Sequence, residues 1–260
     1  MTTQSGDTAI ITAHNISYST HCTEILHNMS FNIRPRSLTG IIGMNGSGKT
    51  TLMKLLCNLI NPSSGEIHLK DKPLNSYSRR ELSKNISMVF QNNPTDFDFS
   101  ALQIVLMGRM PYQKMLSRET DEDFAACKQA MCQTQTWHLR NRNINSLSGG
   151  EKQRIFIARS LAQHTDVLLL DEPVANLDIK HQYEIMNLLK EIQSSRSATV
   201  VTVLHDLSLA LKYSDYILAL KQGNLFMIDN TEKVLTPGNI SLLFEVSAGI
   251  TDDKNVIITK

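Results

Sequence analysis

Residues Gly43–Thr50, GMNGSGKT, match the pattern G-x-x-x-x-G-K-S/T of a phosphate-binding loop, the P-loop. They follow the compact apolar run 38–43, which predicts a buried strand, and precede apolar residues with helical spacing that stop at Asn61-Pro62. Glycines let such a loop curl until its N–H groups point at phosphate oxygens, and the following helix adds the partial positive charge of its N-terminus. Lys49 then supplies a charge for the β- and γ-phosphates of a nucleotide, and Thr50 supplies a hydroxyl for Mg²⁺.

Two carboxylates follow another apolar strand, in the sequence VLLLDEP at 167–173. The strand delivers Asp171 to the carboxyl edge of the sheet, where open α/β folds bind ligands. Asp171 can hold Mg²⁺ directly or through water, and Glu172 can take a proton from the water that attacks a γ-phosphate. Asp-Glu-Pro is also compatible with an ordinary polar turn, but its combination with the P-loop favours the catalytic interpretation.

Strands and helices alternate along most of the chain, except for a helical stretch from about 100 to 164. Strands are predicted at 8–18, 25–35, 38–43, 66–70, 86–90, 167–171, 199–204 and 216–220. Buried strands separated by helices imply a largely parallel sheet covered by helices. The predicted fold is therefore an α/β core, residues 1–92 and 165–260, interrupted by a helical lobe, residues 93–164.

The composition fits one large α/β domain. The 260 residues are 41% hydrophobic and 20% charged, and a net charge of +1 gives no bulk electrostatic reason to expect nucleic acid or anionic lipid as a partner. No apolar run approaches the roughly 20 residues of a membrane helix, and the N-terminus lacks a secretory signal, so we expect a cytosolic chain. The cysteines form no C-x-x-C pair and are expected to be reduced thiols; they are Cys22, Cys57, Cys127 and Cys132.

The octapeptide Leu147–Arg154, LSGGEKQR, is similar to the LSGGQ-type signature of ABC transporter ATP-binding subunits. It lies between the P-loop and the Asp-Glu pair, as it does in that family. The other family motifs follow in order: the adenine-stacking aromatic residue, the Q-loop glutamine, the D-loop and the switch histidine, at Tyr18, Gln91, Ala175–Asp178 and His205. The chain is identified as a member of this family along nearly its whole length.

The resemblance implies the ABC ATPase fold, in which a P-loop core with a mostly parallel sheet carries an antiparallel β subdomain and an inserted α-helical subdomain. It also implies ATP hydrolysis with Mg²⁺. The catalytic residues would be Glu172, His205 and Gln91, and the metal-binding residues would be Thr50, Gln91 and Asp171. The nucleotide-binding residues would be Tyr18, Asn45, Gly46, Ser47, Gly48, Lys49, Thr50, Thr51, Ser148, Gly149, Gly150 and Asp178.

The signature also implies a homodimer. Ser148 and the first N–H groups of a helix would face an anion, which in the family is the γ-phosphate held by the other subunit. Three positions depart from the common family pattern. Met44 replaces Pro and should matter little, Val174 replaces Thr and could loosen local hydrogen bonding, and Glu151 replaces Gln. We expect Glu151 to be harmless if it is exposed and paired with Lys152 or Arg154.

The stretch Ala101–Tyr112, ALQIVLMGRMPY, resembles the V-x-x-V-L-M-G-R-x-P-H/Y sequence of importers for iron chelates, haem and cobalamin. Residues 177–182, LDIKHQ, match the L-D-I/L-x-H-Q run of the same group. The resemblance implies a separate membrane permease that docks near Ala101–Tyr112, a periplasmic or extracellular substrate-binding protein, and a peripheral position at the cytoplasmic face of the membrane. The simpler interpretation, an ordinary amphipathic helix, is compatible with this one, and the cargo itself stays open.

Other functions fit the sequence less well. A molybdate-type or other metal importer ATPase has a similar architecture. Soluble ABC proteins of ribosomes or DNA usually carry two such domains or a long coiled-coil insertion, and neither is evident here. An ATP-binding module without hydrolysis would not need Glu172, His205 and Gln91 together. About 55 residues follow His205, so we do not expect the appended regulatory domain of sugar or methionine importers.

Overall fold

A computed structural model describes residues 9–20, 23–91, 98–113 and 118–259, so the prediction for Cys22 lies outside the described residues. The strands are β1 (Ile11–Thr20), β2 (Thr23–Ile33), β3 (Leu38–Gly43), β4 (Ser64–Leu69), β5 (Lys72–Pro73), β6 (Ile86–Val89), β7 (Val167–Leu170), β8 (Thr199–Val203), β9 (Tyr216–Lys221), β10 (Asn224–Asn230), β11 (Ser247–Ile250) and β12 (Val256–Thr259). The helices are α1 (Lys49–Leu56), α2 (Arg79–Leu82), α3 (Ala101–Leu106), α4 (Asp121–Gln133), α5 (Gly149–Ala162), α6 (Ile179–Arg196), α7 (Leu207–Tyr213), α8 (Thr231–Val234) and α9 (Pro237–Phe244).

The larger sheet has six strands in the order β10-β9-β3-β8-β7-β6. All neighbours are parallel except the edge pair β10–β9. Every residue of β3, β7 and β8 is buried, as expected for central strands covered on both faces by helices. The predicted mostly parallel α/β sheet is therefore confirmed, and the carboxyl ends of β3, β6, β7 and β8 lie along one edge.

A smaller antiparallel sheet, in the order β2-β1-β4-β5, corresponds to the expected β subdomain. The pairing of β1 with β2 shifts register between Ala13 and Ile16 and again beside Tyr18. Such irregularities increase the local twist of a strand. The sheet packs its inner face into one apolar cluster with α1, which brings β1 and β2 close to the helix that follows the P-loop.

The segment between β6 and β7 is helical, and α3, α4 and α5 pack against one another within it. Gly108, in a 3₁₀ turn after α3, approaches α5 closely, because a Cβ atom there would lie 2.2 Å from the carbonyl oxygen of Arg159 in α5. These helices fall within the range predicted for the helical lobe. The limits of the lobe at 93 and 164 stay a prediction.

A buried ion pair holds the helices of the lobe together. Arg109 Nε donates to Asp123 Oδ1 at 2.9 Å, and each side chain is 5% exposed. Arg109 Nη1 also donates to the Ala162 carbonyl at 2.8 Å, and the guanidinium lies 4.0 Å from the ring centre of Tyr112. One side chain thus links the turn after α3 with both α4 and α5.

We predict that Arg109→Met lowers the free energy of unfolding by about 3–5 kcal/mol, because it leaves the Asp123 carboxylate buried without its cation. Urea denaturation followed by circular dichroism measures this loss. Arg79→Met, the same change at an exposed position in α2, is the matched control and should leave stability within about 0.5 kcal/mol of the parent. Equal stability of the two variants would contradict a fastening role for Arg109.

The chain ends in α8, α9 and the hairpin β11–β12. The hairpin joins α7 through a hydrogen bond from Val256 N to Ser208 Oγ at 2.9 Å. In the part of the chain that the structure describes, no helix has the length and apolar character needed to cross a membrane.

Candidate functional site

The P-loop lies between β3 and α1 and wraps around the side chain of Lys49. The Nζ atom of this buried lysine donates to the carbonyl oxygens of Gly43 at 2.8 Å and Met44 at 3.0 Å. Gly48 has a φ of +97°, which other residues rarely adopt, and a Cβ atom there would lie 2.4 Å from Leu26 Cδ2, so a larger residue would be strained at this position. The loop therefore holds the buried ammonium of Lys49 with its own carbonyl oxygens.

The charge on Lys49 is balanced between two influences. Burial lowers the pKa of Lys49, while the nearby Glu172 and Asp171 carboxylates act in the opposite direction. Ser47, also buried, has a hydroxyl oxygen without a hydrogen-bond partner among the described residues. Buried polar atoms normally have partners, so the unpaired Ser47 hydroxyl fits a loop that takes up an anionic ligand.

Asp171 follows β7 and is buried at the carboxyl edge of the large sheet, where its N–H donates to the Val89 carbonyl at 2.9 Å. Burial raises the pKa of Asp171, and a hydrogen bond with the Thr50 hydroxyl acts against this shift. Its Oδ1 atom has no hydrogen-bond partner among the described residues. An under-satisfied carboxylate beside a hydroxyl is an oxygen set that suits Mg²⁺.

The Asp171 carboxylate and the Thr50 hydroxyl would not enclose a metal ion on their own. Within the described residues, no group of three or more His, Cys, Asp or Glu side chains could hold a metal. Mg²⁺ commonly keeps waters and binds through one or two protein oxygens together with substrate phosphates. The donors around Asp171 and Thr50 fit that mode of binding.

The three predicted catalytic residues meet on the carboxylate of Glu172. Gln91 Nε2 donates to Glu172 Oε2 at 2.6 Å, and His205 Nε2 lies 2.6 Å from Glu172 Oε1. Topology explains the meeting, because these residues follow β6, β7 and β8, which are adjacent parallel strands. Glu172 has a φ of +51°, an uncommon value for a non-glycine residue that turns the chain sharply at the end of β7.

The environment of Glu172 suits a base that works on a bound water. Its side chain is 15% exposed, whereas that of His205 is 44% exposed, so the carboxylate is more buried than the imidazole that contacts it. Both carboxylate oxygens have a partner that fixes their orientation. The site therefore combines an oriented carboxylate, a phosphate-binding loop and an oxygen set for a cation at one sheet edge.

The signature serine lies elsewhere, at the start of α5 in the helical segment. Ser148 is the N-cap, and its Oγ atom accepts from the Glu151 N–H at 3.3 Å. Glu151 Oε2 in turn accepts from Ser148 N at 2.8 Å and from Ser148 Oγ at 2.9 Å. The hydrogen bond from the Ser148 backbone is the largest influence that lowers the pKa of Glu151.

This arrangement differs from the expected pairing of Glu151 with Lys152 or Arg154. Arg154 binds Glu184 instead, with Nη2 and Oε2 2.7 Å apart. Glu151 occupies the third helical position, where a capping box places its carboxylate on the backbone N–H of the N-cap residue.

The D-loop packs against the signature within the same chain. Asp178 caps α6 by accepting from the His181 N–H at 2.9 Å, and its second oxygen lies 2.8 Å from His181 Nδ1. The His181 ring covers Gly150, because a Cβ atom there would lie 2.9 Å from His181 Cδ2. In the sequence His181 appears only as part of the family run LDIKHQ, and the spacing of that run does not indicate this contact.

Tyr18 lies in β1 opposite Leu26 of β2, the residue that closes on Gly48. Its partly buried ring packs against the same apolar cluster as α1, so Tyr18 is separated from the P-loop helix by one strand. Val174, the departure expected to loosen hydrogen bonding, is buried in the main core, and Met44 is 44% exposed.

Comparisons with known proteins agree with this geometry. Residues 26–175 match the ABC transporter family. The chain is 34% identical over 229 residues to the ferric enterobactin transport ATP-binding protein FepC of Escherichia coli K12, covering 88% of this chain and 84% of that protein. Among solved structures, an inward-facing ABC transporter assigned to the metal-chelate type superposes with a TM-score of 0.85 at 26% identity, over 97% of this chain and 98% of that one. A dimeric post-hydrolysis state of the ATP-binding cassette MJ0796, bound to ADP and Pi, gives a TM-score of 0.74 at 28% identity, over 85% and 98% of the two chains.

Proposed function

The chain belongs to the ABC transporter family as an ATP-binding and ATP-hydrolysing subunit, and we propose that it energises uptake of a metal chelate through a separate membrane permease. The observation that carries the hydrolytic part is the convergence of Gln91 and His205 on the Glu172 carboxylate beside the P-loop. Chelate uptake is supported by the similarity to the enterobactin transport protein and to the transporter of metal-chelate type.

In the proposed mechanism, the P-loop N–H groups and Lys49 bind the phosphates of ATP. Glu172 accepts a proton from the attacking water, while Gln91 and His205 orient its two oxygens. Thr50, Asp171 and Gln91 would hold Mg²⁺, which when bound neutralises charge on the phosphate oxygens. Tyr18, on β1 opposite Leu26 of β2, is the proposed stacking partner of adenine.

We further propose that two copies of the chain share the ATP sites. Ser148, Gly149 and Gly150 open α5 in the helical segment, whereas Lys49 and Glu172 lie at the edge of the large sheet. An ATP bound to the P-loop of one copy would meet the signature of the second copy, and Asp178 would approach with it because His181 joins the D-loop to Gly150. The dimeric cassette structure supports this arrangement.

The permease is proposed to dock at Ala101–Tyr112, and the structure narrows the contact residues. Gly108 and Arg109 are buried within the lobe, and the Tyr112 hydroxyl donates to the Gln163 carbonyl at 2.9 Å. Met110 is 66% exposed among these anchored neighbours. We infer that the Gly-Arg part of the motif shapes the lobe and that Met110 makes the apolar contact with the permease.

Met110→Glu is predicted to leave the ATPase rate of the isolated subunit within about twofold of the parent and to reduce coupled transport by more than about tenfold, because a charge replaces an apolar contact at the interface. The measurements are phosphate release by the purified subunit and uptake by the reconstituted transporter. Leu242→Glu, at a 58% exposed residue of α9, is the matched control and should transport normally. Equal losses of ATPase and transport would count against docking at Met110.

The proposed function is tested by reconstituting the chain with the permease encoded beside it in liposomes. Substrate-binding protein is added on the side of the liposome membrane that corresponds to the periplasm or the cell exterior. It is loaded with a ferric siderophore, haem, cobalamin or molybdate. Chelate-dependent stimulation of ATP hydrolysis and uptake is expected for one of the first three. Stimulation by molybdate alone would transfer the chain to the oxyanion class, and absence of any associated permease would contradict a transport role. Fractionation should place the chain at the cytoplasmic face of the membrane.

A further inference from the structure

We infer that Glu151 is a positioning residue that holds the hydroxyl proton of Ser148 and thereby weakens ATP-driven closure of the dimer. The inference rests on the proposed function, in which Ser148 meets the γ-phosphate bound to the second copy. It concerns the one position in the signature where this sequence carries a carboxylate in place of the commoner amide.

The hydrogen bonds at the start of α5 assign the serine proton. Ser148 Oγ accepts from the Glu151 N–H and lies 2.9 Å from Glu151 Oε2. An ionised carboxylate has no proton to donate, so the Ser148 hydroxyl must be the donor in the second contact. Because the pKa of Glu151 is lowered, its carboxylate stays ionised at neutral pH.

The same hydroxyl proton is the one that a phosphate needs. Phosphate oxygens are acceptors, so Ser148 can bind the γ-phosphate as a donor only after it releases the Glu151 carboxylate. Hydrogen bonds to an ionised acceptor are about twice as strong as neutral ones, so the bond lost with the carboxylate offsets much of the bond gained with the phosphate. The carboxylate also brings a negative charge toward the negatively charged phosphates.

Glutamine at this position would relieve both effects and keep the helix cap. Its amide oxygen can accept from the Ser148 backbone N–H, which preserves the capping box. Because Oε2 alone accepts from both Ser148 N and Ser148 Oγ, an amide oxygen in its place would accept from both as a neutral group. A neutral acceptor holds the hydroxyl proton about half as strongly as an ionised one, so the hydroxyl turns to phosphate more readily. Glu151→Gln therefore removes the charge that holds the Ser148 hydroxyl with little change in shape. A purely structural role for Glu151 predicts an unchanged or weaker dimer, whereas our inference predicts a tighter one.

The test uses the full chain with Glu172→Gln, which is expected to hold ATP without hydrolysis. Analytical ultracentrifugation across protein concentrations, at saturating ATP and Mg²⁺, gives the dissociation constant of the dimer. Adding Glu151→Gln should tighten the dimer by about tenfold. With Ser148→Ala in both proteins, the gain should fall to about threefold or less, because only the charge contribution remains.

Each outcome bears on the inference. An unchanged or weaker dimer with Glu151→Gln overturns it, and so does an equal gain with and without Ser148. Binding of a fluorescent ATP analogue to the monomer at low protein concentration should be unaffected by Glu151→Gln. A Glu172→Gln protein that binds this analogue but stays monomeric at every concentration would contradict the proposed dimer itself, and the inference would fall with it.

Discussion

Replacing Glu172 with glutamine is expected to lower the steady-state ATPase rate by about 10²–10⁴-fold while ATP binding is retained. In this contact set the Gln91 amide is not a base, and the Glu172 carboxylate is the group that the other two side chains contact. We therefore expect Glu172 to take the proton from water. A glutamine keeps the size of the side chain and one acceptor oxygen. The variant should therefore retain the P-loop and accumulate as an ATP-bound dimer.

Phosphate release by the purified chain measures the rate, and light scattering after size exclusion with ATP measures the dimer. Glu191→Gln is the matched control, because it removes the same charge from an exposed position on α6, and it should hydrolyse ATP at the parent rate. If Glu172→Gln hydrolysed ATP at an undiminished rate, Glu172 could not be the base. A His205→Ala variant with full activity would remove the proposed orienting role of the imidazole.

The central part of the site was predictable because its signals are local. The strands β3, β7 and β8 are buried on both faces, so they appear in the sequence as continuous apolar runs. Parallel strands then bring their carboxyl ends to one edge. The meeting of the P-loop with Asp171 and Glu172 follows from these two facts, without knowledge of any side-chain contact.

Other features depend on tertiary contacts that no local pattern encodes. The edge strand β10 was not predicted, although it contains the apolar run LFMI at 225–228. So short a run does not by itself identify a strand, and these residues are only partly buried at the edge of the sheet. Helix α1 ends at Leu56, before the expected Asn61-Pro62, since Asn58 adopts a φ of +56°. The burial of Arg109 against Asp123 required two separate segments to meet, so a motif that looked like a docking surface is partly the lobe's own internal support.

The signature shows a third kind of limit. The S-x-x-E spacing at Ser148 and Glu151 is that of a capping box, so the local contact could have been predicted from sequence. We instead expected Glu151 to pair with a neighbouring cation, Lys152 or Arg154. In the structure Glu151 instead accepts from the backbone N–H and the hydroxyl of Ser148, which lie in the same helix turn.

Lys49→Ala is expected to weaken nucleotide binding by about 10–100-fold, the loss of one or two charge-assisted hydrogen bonds. Lys49 Nζ is the buried cation of the loop, and it donates to the Gly43 and Met44 carbonyls. These carbonyls hold the ammonium within the loop. We therefore expect a bound phosphate to replace them as the hydrogen-bond partner of Lys49 without a large movement of the side chain. Titration with a fluorescent ATP analogue measures the affinity.

Two further variants separate the charge of Lys49 from its packing. Lys49→Met keeps most of the apolar stem and should lose affinity as severely as Lys49→Ala, because neither residue offers an ammonium to the phosphates. Lys54→Ala, at an exposed position of the same helix α1, removes an equal charge and should bind the analogue within about twofold of the parent. Near-parent affinity in Lys49→Met would show that the lysine acts by filling the loop, whereas a matching loss in Lys54→Ala would assign the effect to net charge. Loss confined to the two Lys49 variants is the outcome that the buried position of Nζ predicts, since only a cation shielded from solvent gains its full interaction with phosphate.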